Sequence, residues 1–252
     1  MTPLMKYRYI KLIKYISVIL LIFFIVSIPI RYLSLEFIPP KINTTFVLGF
    51  SFLRALGWLP SIIMLIVFWL LFTKLDQKLA GYKGEALGQK ELKKLKRYGY
   101  KVFANMKLNH NNDQSEMDFI VLGSNGIFIV EVKNIKGIIK GHANDQYLIQ
   151  HKKTKYNTYE NKFYNPLKQV STHVYKLSKY LKDNNTNYWI EGYVYFPKRH
   201  SKIHVQNNER IYSKKGKHSL LKHIRYYKGK NKISLKKQEI IGELIEKYAV
   251  KV

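Results

Sequence analysis

Two carboxylates and a lysine stand where a strand core calls for apolar side chains. Residues 117–133 read MDFIVLGSNGIFIVEVK. Two apolar runs flank Gly-Ser-Asn-Gly, a turn signal between strands. Residues 119–122 are uniformly apolar, as in a strand buried on both faces, yet Asp118 begins that run. Residues 127–132 are similar, with Glu131 inside and Lys133 just beyond. Strand residues two apart share a face, so Glu131 and Lys133 point the same way as Ile127 and Ile129. A hairpin folded about Ser124-Asn125 sets Asp118 opposite Glu131; one folded about Asn125-Gly126 sets it opposite Lys133 and diagonal to Glu131. Either register puts all three on one face, and only a bulge would separate them. Adjacent carboxylates without a cation repel, and a divalent metal ion removes that cost.

An Asp followed on the next strand by Glu-x-Lys resembles the PD-(D/E)XK nucleases. A longer resemblance is to the nuclease-related domain (NERD) family. It runs from Gly84-Glu85 through Glu131-Val132-Lys133-Asn134 and Asn165-Pro166-Leu167-Lys168-Gln169 to the apolar strand near 192–196. The resemblance implies an α/β fold with a restriction-endonuclease-like core, a mixed central sheet flanked by helices, over residues 84–200. It implies Asp118 and Glu131 as ligands of Mg²⁺ (or Mn²⁺), helped by the Val132 carbonyl. Lys133 would orient water or neutralise phosphate, Glu85 would be a third acidic group, and Gln169 would border the active site. No small-molecule cofactor is implied. Relatives that carry a zinc ribbon, kinase or helicase module differ from this chain, which has no such motif.

The elements that must position these residues can be read in order. Residues 85–97 predict a helix ending at Gly99, with Gly88, Leu92 and Leu95 on one stripe and Glu85 sharing it. A first-turn glutamate favoured by the helix dipole is the alternative, and Gly84-Glu85 in register with the resembled family favours the acidic site over it. Residues 100–108 predict a strand and 109–116 a polar loop. After Lys133, residues 138–139 and 147–150 read as short strands. Residues 151–164 are rich in Lys, Tyr and Asn, and Lys152, Lys153, Lys155, Tyr156 and the later Lys168 are candidates for nucleic-acid binding. Cations there would meet phosphates and rings would stack on bases; a solvated loop has the same composition. Asn165-Pro166 is a helix start, cap then first-turn proline. Leu167, Val170, Val174, Leu177 and Leu181 follow as one stripe, with Gln169 beside it and His173 a turn later. As a metal ligand His173 competes with a partly exposed histidine. A strand at 188–196 ends at Pro197. Residues 198–232 read as basic and irregular with a short helix at 219–226. An amphipathic helix at 235–250 closes the basic extension 201–252, with Ser234 as its cap.

Residues 1–76 predict a membrane anchor. Residues 15–30 and 55–73 are free of charge, and about 20 apolar residues cross a bilayer. The spans are placed at 10–32, with Lys11 and Lys14 snorkelling, and at 55–73. A buried hairpin is less suited to apolarity all round a helix, and Val26-Ser27-Ile28-Pro29 is a poor signal-peptide cleavage site. Lys6, Arg8, Lys11 and Lys14 precede the first span and Lys74, Lys78 and Lys83 follow the second, against Arg31, Lys41 and Arg54 between them. That bias predicts a multi-pass protein of the cell membrane with its N-terminus and C-terminal domain in the cytoplasm.

The chain has 44 Lys+Arg against 16 Asp+Glu, a net charge of +28. Residues 84–252 alone hold 34 of the basic and 14 of the acidic residues, +20, so the anchor does not account for the charge. A polyanionic partner follows, nucleic acid or an anionic lipid surface. With no cysteine, disulfides, thiolate-bound zinc and a cysteine nucleophile are excluded. A Gly-rich phosphate loop, His-Glu-x-x-His and Gly-x-Ser-x-Gly are also missing. Three readings remain: a membrane-anchored, metal-dependent nuclease; a non-catalytic, membrane-tethered nucleic-acid-binding protein; and a lipid-surface protein. The last leaves the strand carboxylates unexplained.

Overall fold

The computed structural model describes residues 3–36, 59–110, 113–153, 157–216, 219–229 and 232–251. The chain divides into a unit of residues 7–79 and a second made of 80–252 with 1–6. The first unit is formed from two long helices, α1 (Pro3–Glu36) and α2 (Leu59–Leu92). Within it Lys14 Nζ pairs with Asp76 Oδ1 and lies 4.3 Å from the Phe72 ring centre. The expected transmembrane hairpin is not supported: among the described residues no helix is long and apolar enough to cross a membrane. Lys6, Arg8, Lys11 and Lys14 charge the first turns of α1, and α2 runs on into the polar stretch beyond Thr73. The connector 37–58, which takes in the start of the second expected span, lies outside the described residues.

The helix expected to start at Glu85 instead continues α2. Residues 74–80 are mostly good helix formers without proline, so nothing breaks the helix there. Glu85 is therefore an interior residue, and the first-turn explanation for it falls. A 3₁₀ turn (Lys93–Tyr98) follows and stops at Gly99, whose φ of 82° lets its N–H close on the Leu95 and Lys96 carbonyls.

The second unit is a mixed α/β fold with two sheets and flanking helices, which fits a nuclease-like core. Strands β1 (Lys101–His110), β2 (Asp113–Gly123), β3 (Gly126–Val132), β7 (Ile190–Phe196), β9 (Ile211–Ser213) and β10 (Ala249–Lys251) form a sheet ordered β10-β1-β2-β3-β7-β9. It is antiparallel up to β3 and parallel from β3 through β7 to β9. Helix α3 (Pro166–Asp183) makes the β3-to-β7 crossover possible, and α5 (Leu235–Tyr248) joins it on the same face. Ile120, Leu122, Ile127 and Ile129 pack there against Leu167, Val170, Leu177 and Ile241. The opposite face sets Phe119, Val121, Phe128 and Val130 against Leu92, Leu95 and α4 (Leu220–Tyr226). Burial on both faces is why these strands read as unbroken apolar runs.

Several expected loops are strands. The polar stretch 109–116 belongs mostly to a long β1–β2 hairpin, whose ladder reaches His110 and Asp113. Residues 137–164 make three antiparallel strands, β4 (Gly137–His142), β5 (Tyr147–Lys153) and β6 (Thr158–Tyr164). The segment expected to be irregular after Pro197 adds β8 (Ser201–Gln206) parallel to β4, completing a second sheet ordered β6-β5-β4-β8. These strands are short and largely exposed, so their sequences carry few apolar residues by which to recognise them.

Candidate active site

The hairpin turns about Ser124-Asn125: Gly123 pairs with Gly126 and Phe119 with Val130. One step further that register sets Asp118 opposite Glu131. The regular pairing of β2 stops there, because Asp118 Oδ2 accepts the Val132 N–H at 2.7 Å. Across the other ladder, β1 skips Asn105, whose φ is 52°. That left-handed conformation is uncommon for any residue but glycine, and asparagine tolerates it better than most. Strand alternation slips at this point, since Met117 shares the α3-side layer with Ile120 and Leu122 while Phe119 faces the other way. The Asp118 carboxylate thus sits at an interruption in the sheet.

Glu131 is almost wholly buried, and its two oxygens meet different partners. Oε1 is 2.7 Å from Lys133 Nζ, which in turn donates to Gln169 Oε1 at 2.8 Å. Oε2 faces His173 Nε2 at 3.6 Å, too far for a hydrogen bond, and neither atom has a hydrogen-bond partner among the described residues. His173 Nδ1 is fixed instead by Ser115 Oγ at 2.7 Å. Gln169 and His173 reach the site because Asn165 caps α3 so firmly. Its side chain accepts from Leu167 N at 3.0 Å and donates to the Ala143 and Asp145 carbonyls at 3.0 and 2.7 Å.

Glu85 arrives from α2. That helix comes close to the end of β3 because glycines face it: a Cβ on Gly84 would lie 2.4 Å from Asn134 Cβ, and one on Gly88 2.8 Å from Val132 Cγ2. Asn134 Nδ2 bonds back to the Ala80 carbonyl. Glu85 Oε2 then accepts from Asn105 Nδ2 at 3.1 Å, which joins α2 to the interrupted strand.

The carboxylates perturb one another. Burial pushes the Asp118 carboxyl well above its usual range, and the Glu131 and Glu85 charges push it further. Burial also raises Glu85, with the Asn105 hydrogen bond opposing and Glu116 and Glu131 adding. For Glu131 burial acts upward too, but the His173 imidazole and Lys133 ammonium outweigh it and hold the group low. One carboxyl that keeps its proton beside one that gives it up is what two acids crowded into one site produce.

These features suit a hard cation. Glu131 Oε2 is a buried acceptor without a hydrogen-bond partner among the described residues, and Asp118 would ionise readily only beside positive charge. Among the described residues no three His, Cys, Asp or Glu side chains converge to hold a metal ion. Two carboxylates are the kind of oxygen donor that a hard cation keeping several waters takes.

Of the residues singled out in the sequence, Asp118, Glu131, Lys133 and Gln169 come together, and Glu85 joins them through Asn105. Lys168 is exposed on the first turn of α3, and Lys152 and Lys153 end β5. Lys155 and Tyr156 lie outside the described residues. Asn105 and Ser115 were not anticipated. A polar residue inside the otherwise strand-like VFANMKL is the one signal that marks Asn105.

Residues 80–197 match the nuclease-related domain family. No curated protein and no solved structure matches the chain.

Proposed function

We propose that this protein is a membrane-anchored, Mg²⁺-dependent nuclease that hydrolyses phosphodiester bonds of cytoplasmic DNA or RNA. The observation that carries the reading is the buried Asp118 carboxyl within the field of the Glu131 charge, beside a lysine that Glu131 and Gln169 hold in place. Asp118 and Glu131 would hold the ion, with the Val132 carbonyl adjacent. Bound there, Mg²⁺ (or Mn²⁺) would activate water and stabilise charge on phosphate. Lys133 would neutralise the scissile phosphate or orient the attacking water. Gln169 acts through Lys133 and is a positioning residue. Glu85, tied to Asn105, adds negative charge behind the pair.

The match to the nuclease-related domain family and the +20 charge of residues 84–252 support nucleic acid as the partner. The charge-free stretches at 15–30 and 55–73 support the anchor, and the flanking lysines support cytoplasmic ends. A second reading, a non-catalytic nucleic-acid tether, is favoured by one observation: Lys133 is already engaged on both sides. The test is cleavage of labelled single- and double-stranded DNA and RNA by the full chain in Mg²⁺, Mn²⁺ or EDTA, with Asp118→Asn and Glu131→Gln alongside. Metal-dependent cleavage lost in both variants supports the nuclease. Salt-sensitive binding without cleavage in any metal rejects it in favour of the tether.

A further inference from the structure

A large cleft is built on the second sheet, mostly from residues that the nuclease-like match leaves out. One wall is β4, β5 and β8; the other comes from β9, Lys215, Gly216, Ser219 and the first turn of α4. Its volume is about 1570 Å³, beyond the 300–1,000 Å³ typical of small-molecule pockets. Six cations line it, Lys140, Lys153, Arg199, Lys202, Lys215 and Lys222, against one carboxylate, Glu209. All six are exposed, and among the described residues none is in an ion pair. Thr158, Ser213 and Ser219 add hydroxyls along the lining.

We infer that this cleft is a sequence-independent binding groove for the phosphate backbone of nucleic acid, and that the C-terminal extension supplies its second wall as well as β8 in the first. Unpaired lysines and arginines with interspersed hydroxyls are the side chains that contact phosphate oxygens. A partner protein would need buried aromatic or aliphatic anchors, whereas the large apolar side chains of the lining are four, Ile138, Ile203, Ile211 and Tyr212, against six cations. A lipid surface is flat, and these charges lie within a concavity.

The groove is also continuous in sequence with the carboxylate site. Strands β3 and β7 run parallel, and their carboxyl ends carry Glu131 and its neighbour Val194. Four residues beyond Lys133 the chain becomes β4, and soon after Phe196 it becomes β8, again parallel to β4. The second sheet is thus entered from the end of the first where the site lies. At this junction Lys198 donates to the Asn134 carbonyl at 3.3 Å. Burial, with Lys136, Lys83 and Lys152 around it, depresses its ammonium. Positive charge therefore extends from Lys133 towards the groove, a path along which a strand bound in the groove would be led to the carboxylates.

The inference takes nucleic acid as the partner from the proposed function but does not depend on hydrolysis. Its test is fluorescence-anisotropy binding of the full chain, in neutral detergent with EDTA, to labelled DNA and RNA from 50 to 200 mM salt. Six phosphate contacts predict a log K against log salt slope of about −5 on duplex and about −4 on single strands, roughly a thousand-fold loss over that range. Lys140→Ala/Lys202→Ala/Lys222→Ala should flatten the slope by about 3 on duplex. A control, Lys179→Ala/Lys236→Ala/Lys237→Ala, removes three exposed lysines on α3 and α5 and should leave it unchanged. Lys140→Arg/Lys202→Arg/Lys222→Arg should keep the slope, which separates lost charge from a misfolded wall. Equal slopes for the cleft variant and wild type would overturn the inference, as would wild-type binding to anionic vesicles but not to nucleic acid. Absence of cleavage in any metal would sink the nuclease and leave this result standing, because binding is read in EDTA.

Discussion

Asn165 is where a stability measurement tests how the site is positioned. Its fully buried side chain makes three hydrogen bonds, one capping α3 and two holding the β4–β5 turn. Asn165→Ala removes a helix cap, worth about 1 kcal/mol. It also leaves the Ala143 and Asp145 carbonyls without this donor, at about 1–3 kcal/mol for each one that water does not reach. With both carbonyls out of reach of water the sum is about 3–7 kcal/mol. At roughly 2–4 °C per kcal/mol for a domain of this size, the melting temperature should fall by about 10–20 °C. Asn165→Ser keeps an N-cap oxygen and should recover about 1 kcal/mol of that loss. Both variants can be followed by near-UV circular dichroism during heating and by urea titration. A loss below about 1 kcal/mol for Asn165→Ala, or no difference between alanine and serine, would refute the claim that this residue anchors α3.

The acids should give stability a pH signature. Because the Asp118 pKa is raised on folding, its contribution is present below the ordinary carboxylate range and is lost as pH rises through the folded value. Glu131, held low, contributes above that range and loses its share as pH falls through its folded value. Without metal, then, the melting temperature should decline from mildly acid towards alkaline pH, and Asp118→Asn should flatten that decline; a variant curve parallel to wild type would contradict it. Mg²⁺ should raise the melting temperature more at high pH than at low, as differential scanning fluorimetry would record. Gly84→Ala would ordinarily gain up to about 1 kcal/mol inside a helix, but a Cβ 2.4 Å from Asn134 Cβ forces a backbone shift. A net loss of about 1–3 kcal/mol by chemical denaturation is expected, and a gain would show that α2 does not pack there. Lys133→Ala should lower the cleavage rate at least ten-fold while Mg²⁺ still raises the melting temperature; unchanged cleavage would remove Lys133 from the mechanism.

The hairpin was legible because its signals are local, a Gly-Ser-Asn-Gly turn between two apolar runs; the sequence left two registers open, and the structure takes the one about Ser124-Asn125. The Asn165-Pro166 start of α3 was legible for the same reason, since cap and first-turn proline are adjacent in sequence. Glu85 was placed on the right helix but with the wrong beginning, because no breaker separates residues 74–80 from those that follow. Asn105 escaped notice since its role depends on a contact with Glu85, 20 residues earlier, and on a backbone slip that no periodicity encodes. His173 was weighed as a ligand on helix spacing; its buried approach to Glu131 is a tertiary fact. The second sheet was largely invisible. Its strands expose most of their side chains, so the period-two apolar pattern that marks a half-buried strand is faint.

Whether a divalent ion binds the Asp118–Glu131 pair is the claim on which the rest stands. Titration of Mn²⁺ into the full chain, with free Mn²⁺ followed by electron paramagnetic resonance, measures it without requiring turnover. Saturable binding that Mg²⁺ competes away, and that Asp118→Asn and Glu131→Gln each abolish while still melting cooperatively, is the predicted result. Binding that persists in both variants, or no binding by wild type at millimolar Mn²⁺, would contradict the account.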